Sequence, residues 1–521
     1  MTAPADFDAS QPETHDHSDS NASSRSWRWV GLALLFGCVV WSLPLSADSQ
    51  GIVAAERLSI EAHRLAAILA AVVVLWVTEA LPLPVSALLG TSACVVLGVA
   101  PAKEVFRPYS DPLIFLFIGS FMIAEAIRIH GLDRRLAFSV LSMSWVGSHP
   151  RRIMLAVGIV CAVISAFISN TATTAMMYAI TLGILSAVES SIETGAPRVH
   201  PRWATGMLLM VAFASSIGGL ATPIGTPPNV IGLAFIKNQL GVDIAFFTWC
   251  LIGIPVASFL VWMTSILLNA MFPAGVNRLE GIAQVVAREK KNLGPWSTAQ
   301  RSTAFAFGLT AGLWVLPGML AIVFGQQADE TKFFLSHIPE GCAAILGAGC
   351  LFILPGKEGS RVLSWSQASR IDWGIVLLYG GGMAMGELSF STGLAESIGR
   401  CLTQWLPADG GIVLIAAAAL IAVFTSEFTS NTASANMVVP IAIAIGISSG
   451  SDPFAPALAA TMAASLGFMM PVSTPCNAIV YGSGRVPLIS MMRAGIILDL
   501  IGVIVVTVVV SIASRWIAAV S

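Results

Sequence analysis

The chain has 521 residues, of which 56% are hydrophobic and only 11% charged, with a mean hydropathy of +0.81. Soluble domains carry about 25% charged residues, so that class is excluded, and the net charge of −2 says little about partners when most of the chain lies in lipid. Apolar stretches of roughly 17–25 residues, the length that crosses ~30 Å of hydrocarbon, follow one another almost without pause. An all-α polytopic membrane protein is expected, with nucleic acid absent from its partners.

Residues 1–24 hold five acidic and no basic side chains among Ser, Thr and Asn, and the stretch 1–26 reads as a disordered acidic tail. His15 and His17 sit in it as solvated residues. The tail has neither a basic n-region nor a cleavage site, so Val30–Leu45, within segment 27–61, is a first span and not a signal peptide. Eight cysteines are scattered through apolar segments without CxxC or His/Cys spacing, which implies small buried hydrophobes and neither a disulfide framework nor a metal cluster.

About eleven spans and two re-entrant hairpins are expected in chain order. The first spans are Val30–Leu45, Arg64–Leu81, Val85–Ala100, Leu113–Ile129, Ala204–Gln239 (broken) and Phe246–Met271. The second set is Ala304–Phe324, Cys342–Leu354, Trp373–Leu388, Ala455–Tyr481 (broken) and Met491–Val510, ahead of a short tail, 514–521. The hairpins are Ile153–Val188 and Ile412–Ile447. With the amino terminus cytoplasmic, the carboxy terminus outside and both hairpins re-entrant, nineteen of the 27 Lys and Arg residues fall inside, a positive-inside bias. Making the first hairpin a through-span would place Arg151–Arg152 and Arg198–Arg202 on opposite faces.

A repeat is visible. Ser169-Asn170-Thr171 recurs as Ser430-Asn431-Thr432, and Gly225-Thr226-Pro227-Pro228-Asn229 is echoed by Ser473-Thr474-Pro475-Cys476-Asn477. Gly119 and Gly380, Met122 and Met383, and Asn170 and Asn431 all stand 261 residues apart, and Asn229 and Asn477 stand 248 apart. Two repeats, 62–272 and 302–513, flank a basic cytoplasmic linker, 273–301. Five spans each would make the second repeat inverted, an architecture of secondary transporters with broken helices at midplane. Gly131–Val146 and Gly393–Leu406 read as amphipathic interfacial helices, with a hinge role as one hypothesis.

Non-helical backbone in a bilayer is tolerated only where it lines protein or a cavity, so four polar breaks in two pairs read as one site built twice. Ser, Asn and Thr suit cap positions, with the third residue of each triplet starting the second arm. Helix amino termini favour an anion, and carbonyls freed by Pro227 and Pro475, with Ser and Thr hydroxyls, are hard ligands for a small cation such as sodium. The breaks hold no Lys or Arg. Because a helix end supplies only about half a charge, a divalent anion there needs co-bound cations. Glu125, Glu387, Glu427 and Asp499 offer proton coupling instead; Glu427 is the foremost of them, although hydrogen bonding to a neighbouring helix is the use placed ahead for it.

The paired triplets, with Gly218-Gly219 before Ala221-Thr222-Pro223-Ile224-Gly225-Thr226-Pro227-Pro228-Asn229, and Met470-Pro471-Val472-Ser473-Thr474-Pro475-Cys476-Asn477-Ala478, resemble the divalent anion–sodium symporter family. The resemblance covers nearly all the chain after residue 60 and implies a homodimer in the cell membrane. In each protomer a hairpin-bearing transport domain would move like an elevator against a scaffold. It implies sodium-coupled symport of di- or tricarboxylates, a C4-dicarboxylate such as succinate above all, with citrate or sulfate as alternatives, and a sodium-independent exchanger or proton-coupled carrier as rivals. By the same resemblance, Ser169, Asn170, Thr171, Ser430, Asn431, Thr432, Thr474 and Pro475 meet the carboxylates. One sodium lies around Ser165, Ser169, Asn170 and Gly225, and a second near Ser426, Thr429, Asn431 and Ser473. Co-transported sodium is expected, and no organic cofactor. An enzyme is not expected, for no nucleophile–base pair is visible. Cys476 stands where the family commonly has a second Pro.

Overall fold

The computed structural model describes residues 19–45, 58–193, 197–279, 281–325, 328–357, 359–403 and 411–520. Among these, regular structure is helical apart from isolated bridge residues such as the pair Pro355 and Arg361. The chain opens with α1 (Asp19–Ser42), α2 (Ile60–Thr78), α3 (Leu83–Val96), the single turn α4 (Ala102–Val105), α5 (Pro112–Ile129) and α6 (Leu132–Leu141). Their ends follow from local chemistry: Ser59 and Asp111 cap α2 and α5 through their side chains, and Pro stands in the first turn of α3 and α5.

Next come α7 (Pro150–Ser165) and α8 (Asn170–Glu193), the arms of the first expected hairpin. The broken span resolves into α9 (Arg202–Gly218) and α10 (Pro227–Leu240), and α11 (Phe246–Met271) closes the first half. The linker contains α12 (Ile282–Asn292). The second half holds α13 (Thr298–Phe324), α14 (Asp329–His337), α15 (Glu340–Leu351), the single turn α16 (Trp365–Ala368), α17 (Trp373–Ser391) and α18 (Leu394–Thr403). It ends with α19 (Gly411–Phe428) and α20 (Asn431–Ser448), then α21 (Phe454–Ala463), α22 (Pro475–Tyr481) and α23 (Leu488–Val520).

Each expected span and hairpin arm falls on a helix, with several differences. Helix α1 reaches back to Asp19, into the stretch read as a disordered tail; residues 1–18 of that tail lie outside the described residues. Helix α23 runs on to Val520, through the stretch read as a carboxy-terminal tail. The first interfacial segment is shorter than expected, Leu132–Leu141; the second is helical over Leu394–Thr403, and residues 404–406 of its expected range lie outside the described residues. Nine of the described helices are long and apolar enough to cross a membrane, and α8, α19 and α20 are among them. Length therefore does not separate hairpin arms from spans. The arms of each pair contact one another, and Ser434 on α20 donates to the Ala422 carbonyl of α19 at 3.0 Å.

The packing repeats itself. Helix α7 packs on α9 as α19 packs on α21; α11 touches α7 and α9 as α23 touches α19 and α21; α15 lies on α5 as α3 lies on α17. Helix α9, which leads into the first break, is buried over 94% of its apolar window, whereas α13 is buried over 17%. The irregular backbone after α9 is thus enclosed by protein, the condition for tolerating it in a membrane.

Candidate functional site

In the first break, α9 ends at Gly218 and two 3-10 turns, Gly219–Ala221 and Pro223–Gly225, lead to α10 at Pro227. A proline there cannot supply the N–H a continuing helix needs, so upstream carbonyls require other donors. Asn229 Nδ2 donates to the carbonyls of Gly219 (2.9 Å) and Thr222 (2.8 Å), and the Trp249 indole donates to Leu220 O at 3.0 Å. In the second break Asn477 Nδ2 donates to Gly467 O (3.1 Å) and Met470 O (3.0 Å), the same ten and seven residues upstream. Both asparagines are fully buried. Two buried amides therefore claim four of the carbonyls upstream of the prolines, while those of Ser215 and Gly225 are turned toward the first tip.

At the first tip, Ser165 Oγ stands 2.5 Å from the Asn170 carboxamide oxygen. That carboxamide also faces the carbonyls of Ser215 and Gly225, each at 3.2 Å. Either a half turn of the amide lets the two protons of its nitrogen serve two of these three oxygens, or its oxygen joins them around a cation. At the second tip, Ser426 Oγ lies 2.7 Å from Asn431 Oδ1 and 2.8 Å from Ala464 O. A hydroxyl has one proton, so it satisfies one of those two acceptors at a time. Ser473 Oγ is shared in the same way between Ser426 O (2.8 Å) and Gly467 O (3.1 Å). The second cluster is rich in hard oxygen and poor in protons, the donor set a sodium ion takes, and the first matches it when the Asn170 oxygen is the atom turned toward Ser165, Ser215 and Gly225.

The structure brings Ser165, Asn170 and Gly225 together at one tip, and Ser426, Asn431 and Ser473 at the other. Thr429 is turned elsewhere, its hydroxyl donating to Thr425 O at 2.9 Å on its own helix. Ser169 and Thr171 are exposed at the first tip, and its carbonyl lets Ser169 receive the Thr173 amide at 3.0 Å. Ser430 caps the second arm by accepting from Ala433 N, and Thr474 caps α22 by accepting from Asn477 N. The second arms begin at Asn170 and Asn431, so the middle residue of each triplet starts the arm and not the third. Thr432 is half-buried and Pro475 exposed.

Each hairpin packs on the opposite break: α8 packs on α22, the helix after the second break, and α20 packs on α10, the helix after the first. At that seam the Cys476 thiol is buried against Thr174 and Ser216. The residue that departs from the family pattern therefore fills a contact between the halves.

Of the intramembrane acids, Glu125 pairs with Arg128 (2.6 Å), and Glu387 pairs with Arg107 (3.0 Å) and accepts from Asn238 (3.1 Å). Glu427 accepts the backbone amides of Met469 and Met470, both at 2.8 Å, while Asp499 takes that of Phe468 at 3.3 Å. Of the two uses open to Glu427, the structure displays hydrogen bonding to the neighbouring break. Residues the motifs did not bring forward are the Ser215 and Ala464 carbonyls and Gly467. A Cβ on Gly467 would fall 2.1 Å from Ser473 Oγ. Gly467 lies 248 residues after Gly219, so extending the repeat spacing would have found it.

Helices interrupted at paired, protein-enclosed breaks and faced by polar hairpin tips define a membrane transporter of the secondary type. Comparison with known proteins agrees. The family described as "Sodium:sulfate symporter transmembrane region" matches residues 24–520, and the chain belongs to that family, bearing out the resemblance read from its motifs; it is a transporter and not an enzyme. A sodium-dependent dicarboxylate transporter, SdcS, of Staphylococcus saprophyticus is 30% identical over 442 residues, covering 84% of this chain and 83% of the relative. Its namesake in Staphylococcus aureus (strain USA300) is 29% identical over 440 residues, 84% and 82% of the two chains. The crystal structure of the YdaH transporter of Alcanivorax borkumensis shares the fold, with a TM-score of 0.52 at 13% identity over 95% of this chain and 98% of that one.

Proposed function

We propose that this chain couples sodium entry to symport of a C4-dicarboxylate such as succinate. The observation that carries the reading is the pair of oxygen-rich clusters, Ser165–Asn170–Gly225 and Ser426–Asn431–Ser473, beside tips that hold no basic side chain. In this reading the dicarboxylate lies between the tips, received by Ser169, Asn170, Thr171, Ser430, Asn431, Thr432, Thr474 and Pro475. Helices α8, α10 and α20 start there and direct their positive ends at it. Sodium ions in the two clusters supply the positive charge the protein lacks, and that requirement is the physical basis of coupling. The SdcS relatives, named as sodium-dependent dicarboxylate transporters, support both cargoes.

The two halves are inverted repeats of a homodimer in the cell membrane, with the amino terminus cytoplasmic. The hairpins, with α9 to α11 and α21 to α23, form the moving body of an elevator, and α2, α3, α5, α13, α15 and α17 its scaffold. The recurring packing supports that division. The family description names sulfate, which makes sulfate the competing anion. Purified protein in liposomes should accumulate labelled succinate under an inward sodium gradient, with unlabelled succinate competing better than sulfate. Uptake indifferent to sodium, as an exchanger or proton carrier would give, rejects the coupling, and stronger competition by sulfate rejects the cargo.

A further inference from the structure

Two contacts, one in each half, join the first arm of a hairpin to the broken helix beside it. In the first half the hydroxyl of Thr222, a residue 1% exposed, donates to the carbonyl of Ala166, which closes α7. In the second half the Glu427 carboxylate accepts the amides of Met469 and Met470. Ala166 and Glu427 stand 261 residues apart, the spacing of Asn170 and Asn431. Thr222 and Met470 stand 248 apart, the spacing of Asn229 and Asn477. The two halves therefore link the same pair of positions with unlike groups. In one the break supplies the side chain and the hairpin the backbone; in the other the roles are exchanged.

Capping alone does not account for this. A carbonyl at a helix end needs a donor, which would explain Thr222 by itself, but at Glu427 the groups in need are amides of the break. What the two contacts share is the place they tie together. Ala166 follows Ser165, and Thr222 precedes the 3-10 turn that ends at Gly225. The Thr222 carbonyl accepts from Gly225 N at 3.3 Å and from Asn229 Nδ2 at 2.8 Å, so the residue is fixed to its own turn while its hydroxyl reaches the hairpin. Gly225 lies close by, since a Cβ there would fall 3.0 Å from Ala166 O. The hydroxyl thus spans the two sides of the first cluster, Ser165 and Asn170 on the hairpin and Gly225 on the break.

We propose that Thr222 is a positioning residue for the first sodium cluster, holding its hairpin side and its break side together before the ion arrives. The proposal rests on the sodium-coupled reading above. Ligands already held in place lose less freedom when the ion binds. The test is uptake of labelled succinate by the full chain in liposomes, with the sodium half-saturation and the maximal rate read separately. Thr222→Val, which removes the donor, should raise the half-saturation about fivefold, the scale of one lost hydrogen bond, and leave the rate at saturating sodium largely unchanged. Thr222→Ser, which keeps the donor, should match the wild type. Thr222→Cys, close to serine in size with a weaker donor, should fall between Ser and Val, and the Ser and Cys pair decides where Val does not fold. Equal half-saturation in Ser, Cys and any folded Val variant, with uptake lowered alike at every sodium concentration, would make the bond a helix cap only and overturn the proposal. Wild-type uptake indifferent to sodium would instead reject the coupling itself, a result seen before any substitution is made.

Discussion

Ser426 Oγ lies 2.7 Å from Asn431 Oδ1 across the turn of the second hairpin, five residues apart, as Ser165 and Asn170 do at 2.5 Å in the first. In both, a hydroxyl one turn below the tip meets the amide that starts the second arm. Each asparagine is thereby held by its own hairpin, and at the first tip the carboxamide also faces the Ser215 and Gly225 carbonyls of the broken helix. A cation held at either cluster would make its occupancy and the tip geometry one equilibrium.

Asn170→Ala removes the common neighbour of the Ser215 and Gly225 carbonyls, and Asn431→Ala removes the oxygen that faces the Ser426 hydroxyl. Sodium half-saturation of uptake should rise at least tenfold, about 1.4 kcal/mol, in either variant. Unchanged sodium dependence in both would remove the assignment.

Gly467→Ala places a methyl 2.1 Å from Ser473 Oγ, so the hydroxyl must leave the Ser426 carbonyl. Uptake should fall about tenfold or more. Ser473→Gly in the same chain relieves the clash and copies Gly225 of the other half, so the double variant should recover part of the activity. A single variant with full activity contradicts the geometry.

Glu427→Gln keeps one acceptor where two backbone amides, Met469 and Met470, need two. One amide facing an NH₂ group should cost about 1–3 kcal/mol, read as a lower Tm in detergent. Asp499→Asn, at a longer 3.3 Å bond, should cost less. The reverse order would show that Glu427 does not hold the second break.

Asp133, in the first turn of α6, lies outside the expected spans and is buried, which pushes its carboxyl above the usual range, while the Arg134 amide opposes the shift. A carboxyl raised in the folded state binds more protons folded than unfolded, so stability falls as pH rises from the unfolded value toward the folded one. Asp133→Asn should therefore raise Tm at pH 7, with the advantage vanishing below about pH 4. An equal Tm at both pH values would contradict the burial argument.

Much of this was legible in the residues. Prolines 227 and 475 fixed both breaks, because a missing N–H stops a helix whatever surrounds it. The repeated triplets located both tips. What the sequence hid was the partner of each freed group. Asn229 and Asn477 stood in the motifs, yet their hold on carbonyls ten and seven residues upstream depends on how the 3-10 turns fold back. Thr429 was read as facing the second cluster, but its hydroxyl turns back to the Thr425 carbonyl of its own helix. The start of α1 at Asp19 was missed because that polar stretch lacks the apolar periodicity that marks a helix.

The central claim is that sodium supplies the positive charge a dicarboxylate needs between tips devoid of Lys and Arg. The most direct measurement is equilibrium binding of labelled succinate to purified protein, with sodium replaced by choline at constant ionic strength. The account predicts affinity that climbs steeply with sodium and is lost in choline. Succinate bound equally well in both would contradict it.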